Sequence, residues 1–360
     1  MRQAVAYRLD PSRGADALTA APQEMPEPGP RQVVIRVRAA SLNRRDLMLM
    51  DGTYPLPATP GVIPLSDGVG EVIAVGIDVT RAAVGDRVTG TYFVRWVDGP
   101  QRRAHVVEQY GATYPGMLAT YAVLEEDSVV HVPGHLTDAE AATLTCAGVV
   151  AWAALSTPLP VRPGESVLTV GSGSVALFGV QYAKMHGAEV ISITSNDRKG
   201  ERLRALGADE VIDRSRTPDW GLAVLDRTGG DGADHVLDAV GMPTLAKSVR
   251  SAAYNARITM IGAMPAAGAP ADNPFGVSYL SIRRIAVGSR TDFEAMNRAI
   301  AVHRMRPVID RVFAFEEAAA AYRYLRTGDP FGKVVIEFPR DSGAGGKDTR
   351  HGIFLGRGDP

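Results

Sequence analysis

Apolar and polar positions follow one rhythm over the first 128 residues and another from Ser166 onward. In the first stretch, short alternating runs such as Val33–Val37, Gly70–Val75 and Asp86–Thr89 are broken by Pro and Gly every few positions, which predicts an irregular, mainly β domain. From Ser166, short apolar runs alternate with helix-like segments, the pattern of an α/β, doubly wound parallel sheet. Strands are predicted at Ser166–Val170, Glu189–Thr194, Glu210–Asp213, His235–Val240, Arg257–Ile261 and Arg284–Gly288, enough for two mononucleotide-binding halves. Helices are predicted at Val175–His186, Lys199–Leu206, Asp219–Thr228 and Thr244–Ala253, with Gly187 and Gly207 as C-terminal stops. Further on, Asp292–His303 and Glu316–Arg326 read as helices, Pro307–Phe315 as an extended return and Lys333–Glu337 as a final strand. These last pieces can complete the first domain, which makes the dinucleotide domain an insertion. The expected boundaries are 1–128 with 291–340 for the first domain, 129–290 for the second, and a Gly-rich, disordered tail at 341–360.

The strand at Ser166–Val170 runs directly into Gly171-Ser172-Gly173-Ser174-Val175-Ala176, a Gly-x-Gly-x-x-Ala turn that opens a helix. Gly171 can take backbone angles other residues resist, Gly173 lets phosphate oxygens approach the main chain, and Ala176 allows helix and strand to pack closely. Ser174 and Val175 start the helix, whose unpaired N–H groups and positive dipole end suit a pyrophosphate. Val240-Gly241, Ile261-Gly262 and Gly288-Ser289 close the fourth, fifth and sixth predicted strands, where small residues let backbone groups cradle ribose and carboxamide, although ordinary turns also favour glycine. An acid at the tip of the second strand would bind both ribose hydroxyls and repel a 2′-phosphate; that position is Thr194. Ser195 can donate a hydrogen bond there and Arg198 and Lys199 can supply charge, so NADP(H) is expected over NAD(H). The competing reading makes Arg198 and Lys199 a solvated first turn and leaves Asp197 to serve a free ribose.

Composition narrows the function. With 360 residues, 45% hydrophobic and 22% charged, the chain is long enough for two ordinary domains. A net charge of −1 gives no basic excess for a nucleic-acid partner. No stretch approaches the roughly 20 apolar residues of a membrane span, and the first residues show no signal-peptide core, so a cytoplasmic protein without a membrane partner is expected. Cys146 is the single cysteine, which excludes an internal disulfide and a multi-cysteine zinc site within one chain. Tyr92, Phe93, Trp96 and Trp152 are candidates for an apolar substrate wall.

The order of motifs over roughly residues 1–340 resembles the medium-chain dehydrogenase/reductase superfamily, specifically its zinc-free, quinone-oxidoreductase-like branch. The resemblance rests on Asn43-Arg44-Arg45-Asp46, Pro64 through Gly70, Val84 through Val88, Pro133 through Leu144, Cys146-Ala147-Gly148, Gly207-Ala208-Asp209 and Gly332-Lys333-Val334-Val335. It implies a six-stranded Rossmann domain inserted into a GroES-like catalytic domain. In zinc-dependent members the first ligand is a cysteine where this chain has Asn43, and the second a histidine where it has Ser66; Asp67 replaces the glutamate that follows. Cys146 stands where some zinc members carry the third ligand. The resemblance therefore implies a site without zinc, with Cys146 a small hydrophobe under the nicotinamide. Asn43, Arg45, Tyr54, Ser66 and Asp67 are then expected to line the substrate space, Tyr54 donating to the substrate carbonyl while Asn43 and Ser66 orient it; the competing reading makes Tyr54 a loop anchor and Asp46 and Asp67 structural acceptors in tight turns. Arg44 falls where zinc enzymes of the family often present a basic residue to the pyrophosphate, and Lys333 follows a glycine in a similar cofactor-facing turn; the competing reading of each is a surface cation with no partner. The implied activity is hydride transfer between NADP(H) and a small-molecule substrate, a carbonyl, quinone or activated alkene. Alcohol oxidation on the same scaffold, or an NADPH-binding sensor or structural protein without turnover, are the alternatives. A homodimer is also implied, paired through the sixth strand's edge around Val277–Ser289.

Overall fold

Three sheets organise residues 3–262 and 280–339, the part of the chain that the computed structural model describes. In the first domain β1 (Val5–Leu9) and β2 (Leu18–Pro22) pair antiparallel. The main sheet there contains β3 (Gln32–Leu42), β4 (Asp67–Val75), β5 (Arg87–Gly90), β6 (Tyr121–Glu125) and β7 (Val129–His131). Helix α1 (Arg44–Met50) follows β3 directly, and α2 (Arg103–Val106) lies in the long loop after β5. A short α3 (Asp138–Ala141), a π-helical turn (Leu144–Gly148) and α4 (Val149–Ser156) lead into the second domain.

That domain alternates β8 (Ser166–Val170), α5 (Ser174–Met185), β9 (Glu189–Thr194), α6 (Asp197–Leu206), β10 (Glu210–Asp213), α7 (Trp220–Arg227), β11 (Ala233–Asp238), α8 (Leu245–Arg250), β12 (Ala252–Met260) and β13 (Ser281–Arg284). The strands form a parallel six-stranded sheet in the order β10-β9-β8-β11-β12-β13. All five residues of β8 are buried because helices cover both faces of the sheet, which explains a run that is mainly apolar rather than alternating. The strand order reverses between β8 and β11, and in such sheets ligands bind at the carboxyl ends beside that switch point.

The chain then returns through α9 (Arg290–His303), β14 (Ile309–Ala314), α10 (Ala318–Thr327) and β15 (Lys333–Glu337). β15 pairs antiparallel with β3, Val334 opposite Leu42, and β14 joins parallel to β15. The first sheet is thus seven-stranded, closed by the C-terminal segment, and the nucleotide domain is an insertion within it. One apolar cluster runs through the contact between the domains, joining Ala39, Val69 and Phe93 to Leu177, Val180 and Leu237.

Several expected boundaries shift. β7 pairs with β5, so the first sheet extends past residue 128 to His131. β11 ends at Asp238, two residues before the expected end, and α8 stops at Arg250 so that β12 can start at Ala252. The sixth strand is Ser281–Arg284 instead of Arg284–Gly288: the apolar run Ile285–Val287 lies beyond the residues that pair with Arg257–Met260. Residues 277–279 of the expected edge segment and the expected tail at 341–360 lie outside the described residues. Among the described residues, no helix is long and apolar enough to cross a membrane.

Candidate active site

The turn after β8 is built for an anion. Gly171 has φ 106°, a left-handed conformation that a side chain would strain. Gly173 is the N-cap of α5 with no side-chain cap, and a Cβ added to it would meet nothing within 4 Å. The first N–H groups of α5 therefore face open space without a side-chain acceptor, and they fit a pyrophosphate. Ser174 hydroxyl donates to the Gly332 carbonyl (3.2 Å), tying the helix start to the turn before β15. Asp238 flanks this turn at the end of β11. Its buried carboxylate accepts from the N–H groups of Val240 and Gly241 (2.9 Å each) and the hydroxyls of Thr244 and Ser248 (2.8 Å each). Ile261 and Gly262 donate their N–H groups to the Asp238 carbonyl, and a Cβ on Gly262 would lie 2.1 Å from Val240. Gly262 is thus required by the approach of two strand ends.

At the tip of β9, Thr194 is buried, Ser195 is half-buried and Arg198 is exposed. Asn196 caps α6 by accepting from the Lys199 N–H (3.0 Å). Asp197 is paired with Arg216. Lys199, expected to supply charge to a phosphate, has a mostly buried side chain whose ammonium lies 2.5 Å from Asp329. Its charge is already matched across the cleft by the segment that precedes β15.

Beneath the cleft, α1 and the strand ends around it assemble a buried polar cluster. Lys333, on β15, is 1% exposed and its ammonium donates to the Leu42 carbonyl (2.9 Å), Asn43 Oδ1 (2.6 Å) and Asp67 Oδ2 (3.2 Å). The expectation of a cofactor-facing lysine is corrected here: Lys333 points into the first domain, because the antiparallel register sets its neighbour Val334 opposite Leu42. Asp67 is fully buried and also accepts from the hydroxyls of Ser66 (2.8 Å) and Ser41 (3.3 Å). Ser66 follows Leu65, a buried residue held at φ 72° by the close passage of Gly111 and Gly116. Asn43 N–H donates to Asp46 (2.7 Å), while Asn43 Nδ2 is buried and has no partner.

Arg45, expected in the substrate space, is buried on the inner face of α1. It donates to the Tyr110 carbonyl (3.0 Å) and Gln109 Oε1 (3.4 Å), and its guanidinium lies 4.3 Å from the Tyr92 ring centroid. Tyr54 hydroxyl meets the Tyr92 hydroxyl at 2.7 Å and donates to Gln109 Oε1 at 3.3 Å. Burial pushes the Cys146 thiol up to about 12, with Asp67 adding to the effect, so the sulfur stays protonated at neutral pH. Among the described residues no group of three or more His, Cys, Asp and Glu side chains is placed to hold a metal ion.

Arg44 is exposed at the first position of α1, beside Asn43, a placement compatible with the expected pyrophosphate contact. Other expectations separate from this site. Gly288 and Ser289 do not close the sixth strand: Gly288 packs on Val149, and Ser289 caps α9, its hydroxyl accepting from the Asp292 N–H (3.1 Å). Trp152 packs edge-on against Tyr182 between α4 and α5, away from the cleft. The sequence reading missed Asp238, for which the local signal was present: an aspartate ending a strand, with a Gly-bearing turn after it, is a frequent acceptor for its own downstream N–H groups. It also missed Gln109, whose Oε1 accepts from both Tyr54 and Arg45 and which comes from the long irregular loop.

The parallel sheet, its open glycine turn and the polar cleft beside the strand ends define a nicotinamide dinucleotide-dependent oxidoreductase. The comparisons agree. A family described as alcohol dehydrogenase GroES-like domain matches residues 29–134, and one described as zinc-binding dehydrogenase matches residues 174–301. A zinc-type alcohol dehydrogenase-like protein of Schizosaccharomyces pombe is 36% identical over 91% of this chain and 97% of its own length. A quinone oxidoreductase of Pseudomonas aeruginosa is 32% identical over 86% of this chain and 92% of its own. A solved structure from Sinorhizobium meliloti 1021, provisionally assigned as an alcohol dehydrogenase, superposes with a TM-score of 0.86 at 38% identity, covering 94% of this chain and all of that one. The chain belongs to the medium-chain dehydrogenase/reductase superfamily.

Proposed function

We propose that this protein is a metal-independent, NADP(H)-preferring reductase of small carbonyls, quinones or activated alkenes. The observation that carries the reading is the Asn43 carboxamide: its oxygen is taken by Lys333 at 2.6 Å, and its Nδ2 is left buried and unpartnered. A buried donor without an acceptor costs about 1–3 kcal/mol, a cost a substrate oxygen would remove. The dinucleotide supplies the hydride when bound. The N–H groups that open α5 would hold its pyrophosphate, and Ser195 with Arg198 would meet a 2′-phosphate at the tip of β9. Asn43 Nδ2 would donate to the substrate oxygen, which gains negative charge as hydride reaches carbon. Tyr54, tied to Tyr92 and Gln109, is proposed as a second donor or an orienting group.

Metal independence is supported by the donor set, in which Asn43 offers an amide and Ser66 a hydroxyl where zinc-dependent members carry a thiolate and an imidazole. The cofactor preference is supported by Thr194 in place of an acid and by Asp197 being engaged by Arg216. Steady-state rates with NADPH and NADH across a panel of quinones, enones, aldehydes and alcohols test the reading, before and after exhaustive chelation. Reduction of a quinone or enone at the highest rate, a kcat/KM favouring NADPH and full activity after chelation are expected. Faster alcohol oxidation, a several-fold preference for NADH or a stoichiometric zinc would overturn the corresponding part.

A further inference from the structure

Lys333 lies outside the substrate space and outside the dinucleotide turn, yet it is the buried cation nearest the proposed donor. We propose that Lys333 is a positioning residue for the reduction, fixing the Asn43 carboxamide so that Nδ2 faces the substrate oxygen. This rests on the reading of Asn43 as the donor to that oxygen.

The argument is one of hydrogen-bond inventory. An ammonium has three N–H groups and no acceptor. At Lys333 they are accounted for by the Leu42 carbonyl (2.9 Å), Asn43 Oδ1 (2.6 Å) and Asp67 Oδ2 (3.2 Å). Because the ammonium can only donate, the amide must turn its oxygen toward Lys333, and the NH₂ group must then point away from it. The anchor itself cannot drift. Its backbone N–H donates to the Val308 carbonyl (2.9 Å), and Gly332 at φ 126° packs so close that a Cβ would lie 2.6 Å from the same oxygen. Asp67 is held by Ser41 and Ser66, so the carboxylate opposite the ammonium is fixed as well. A lone buried Lys–Asp pair is weak evidence for stability, since apolar residues of similar volume commonly do as well. The third bond, to Asn43, is the one that reaches the proposed donor.

Lys333 transfers no proton in this scheme. Hydride carries two electrons and a proton to the carbonyl carbon, or to the far carbon of a conjugated carbonyl. The π pair moves to oxygen, and solvent supplies the proton that completes the product. Asn43 donates to that oxygen without transferring its proton, and Lys333 holds Asn43 in place.

The test uses the full chain with NADPH and either 1,4-benzoquinone or 2-cyclohexen-1-one. Lys333→Met is expected to lower kcat roughly 100-fold, as removal of one such donor does, with the Kd for NADPH changed less than about twofold. Should Lys333→Met fail to fold because Asp67 is left unpaired, the Asp67→Asn/Lys333→Met pair removes both charges and is expected to show the same loss. Asn43→Ala separates the two claims. If it keeps full kcat, the reading of Asn43 fails whatever Lys333 does; if it loses kcat while the Lys333 variants keep theirs, the positioning role alone fails. Asn43→Ala combined with Lys333→Met is expected to be about as slow as Asn43→Ala alone, and multiplying losses would overturn the inference. A ligand-free crystal structure of the Asp67→Asn/Lys333→Met variant gives a readout without turnover: a turned or disordered Asn43 carboxamide is expected, and an unchanged one overturns the role.

Discussion

Asp46 carries a carboxyl group into a place water does not reach. It is 1% exposed, one oxygen accepts the Asn43 N–H at 2.7 Å, and the other has no partner. Burial pushes it up to about 6, against the pull of neighbouring Arg45. The folded chain therefore holds this proton more tightly than the unfolded chain, whose aspartates titrate near about 3.9. The stabilising contribution is fully present below about pH 4 and is lost as pH rises through about 6. Asp46→Asn keeps an acceptor for the Asn43 N–H and removes the ionisation. Relative to the parent protein, this variant is expected to gain up to about 3 kcal/mol as pH rises from about 4 to about 7. Urea unfolding of both proteins at the two pH values measures it, and a difference that does not change with pH would show that Asp46 does not titrate in this range.

Elements differ in how far local sequence determines them. β8, β9 and β10 lie where their apolar runs end at Gly171, Thr194 and Asp213, because each run is bounded by turn residues at both sides. β11, β12 and β13 slide, because Val240, Ile261 and Ile285 continue the apolar pattern past the last paired residue, and pairing register is a property of two strands. The dinucleotide turn was legible because its chemistry lies within six consecutive residues. The cluster under the cleft was only half legible: the motif picked out Asn43, Ser66 and Asp67 but set all three against the substrate, whereas Ser66 and Asp67 are fully buried and Lys333 meets Asn43 across 290 positions of sequence. The two turn glycines also play different parts. Gly173 has φ −83°, so an alanine costs no backbone strain there, and its Cβ would project into the space assigned to phosphate. Gly173→Ala is expected to leave stability within about 1 kcal/mol while raising the Kd for NADPH at least roughly tenfold. Gly171→Ala, at φ 106°, is expected to lose about 1–2 kcal/mol of stability first. Thermal melts beside NADPH titration by fluorescence separate the two, and equal effects of both substitutions on stability would assign Gly173 to the fold.

On the scale of the whole molecule, β13 is the outer strand of its sheet among the described residues, and we propose that a second copy covers it in a homodimer. Light scattering is expected to give twice the chain mass. Within one chain, the nucleotide domain is joined to the C-terminal return by a line of contacts beside the cofactor turn. Ser174 donates to the Gly332 carbonyl, Arg202 lies 4.0 Å from the Phe331 ring centroid, and Lys199 pairs with Asp329 at 2.5 Å. Lys199 therefore belongs to the joint between domains, whereas Arg198, its exposed neighbour on α6, is the residue proposed above to meet a 2′-phosphate. The two residues should fail differently. A charge-assisted contact to phosphate contributes about 1.5–3 kcal/mol, so Arg198→Ala is expected to raise the KM for NADPH at least roughly tenfold and leave that for NADH nearly unchanged. Loss of a partly exposed ion pair costs about 1 kcal/mol or less. Lys199→Ala is accordingly expected to raise both KM values by a similar factor of no more than about five, because a looser joint weakens the grip on either dinucleotide. The ratio of the two KM values is the discriminating measurement. A loss confined to NADPH in Lys199→Ala would mean that the lysine leaves Asp329 for the phosphate when the cofactor binds.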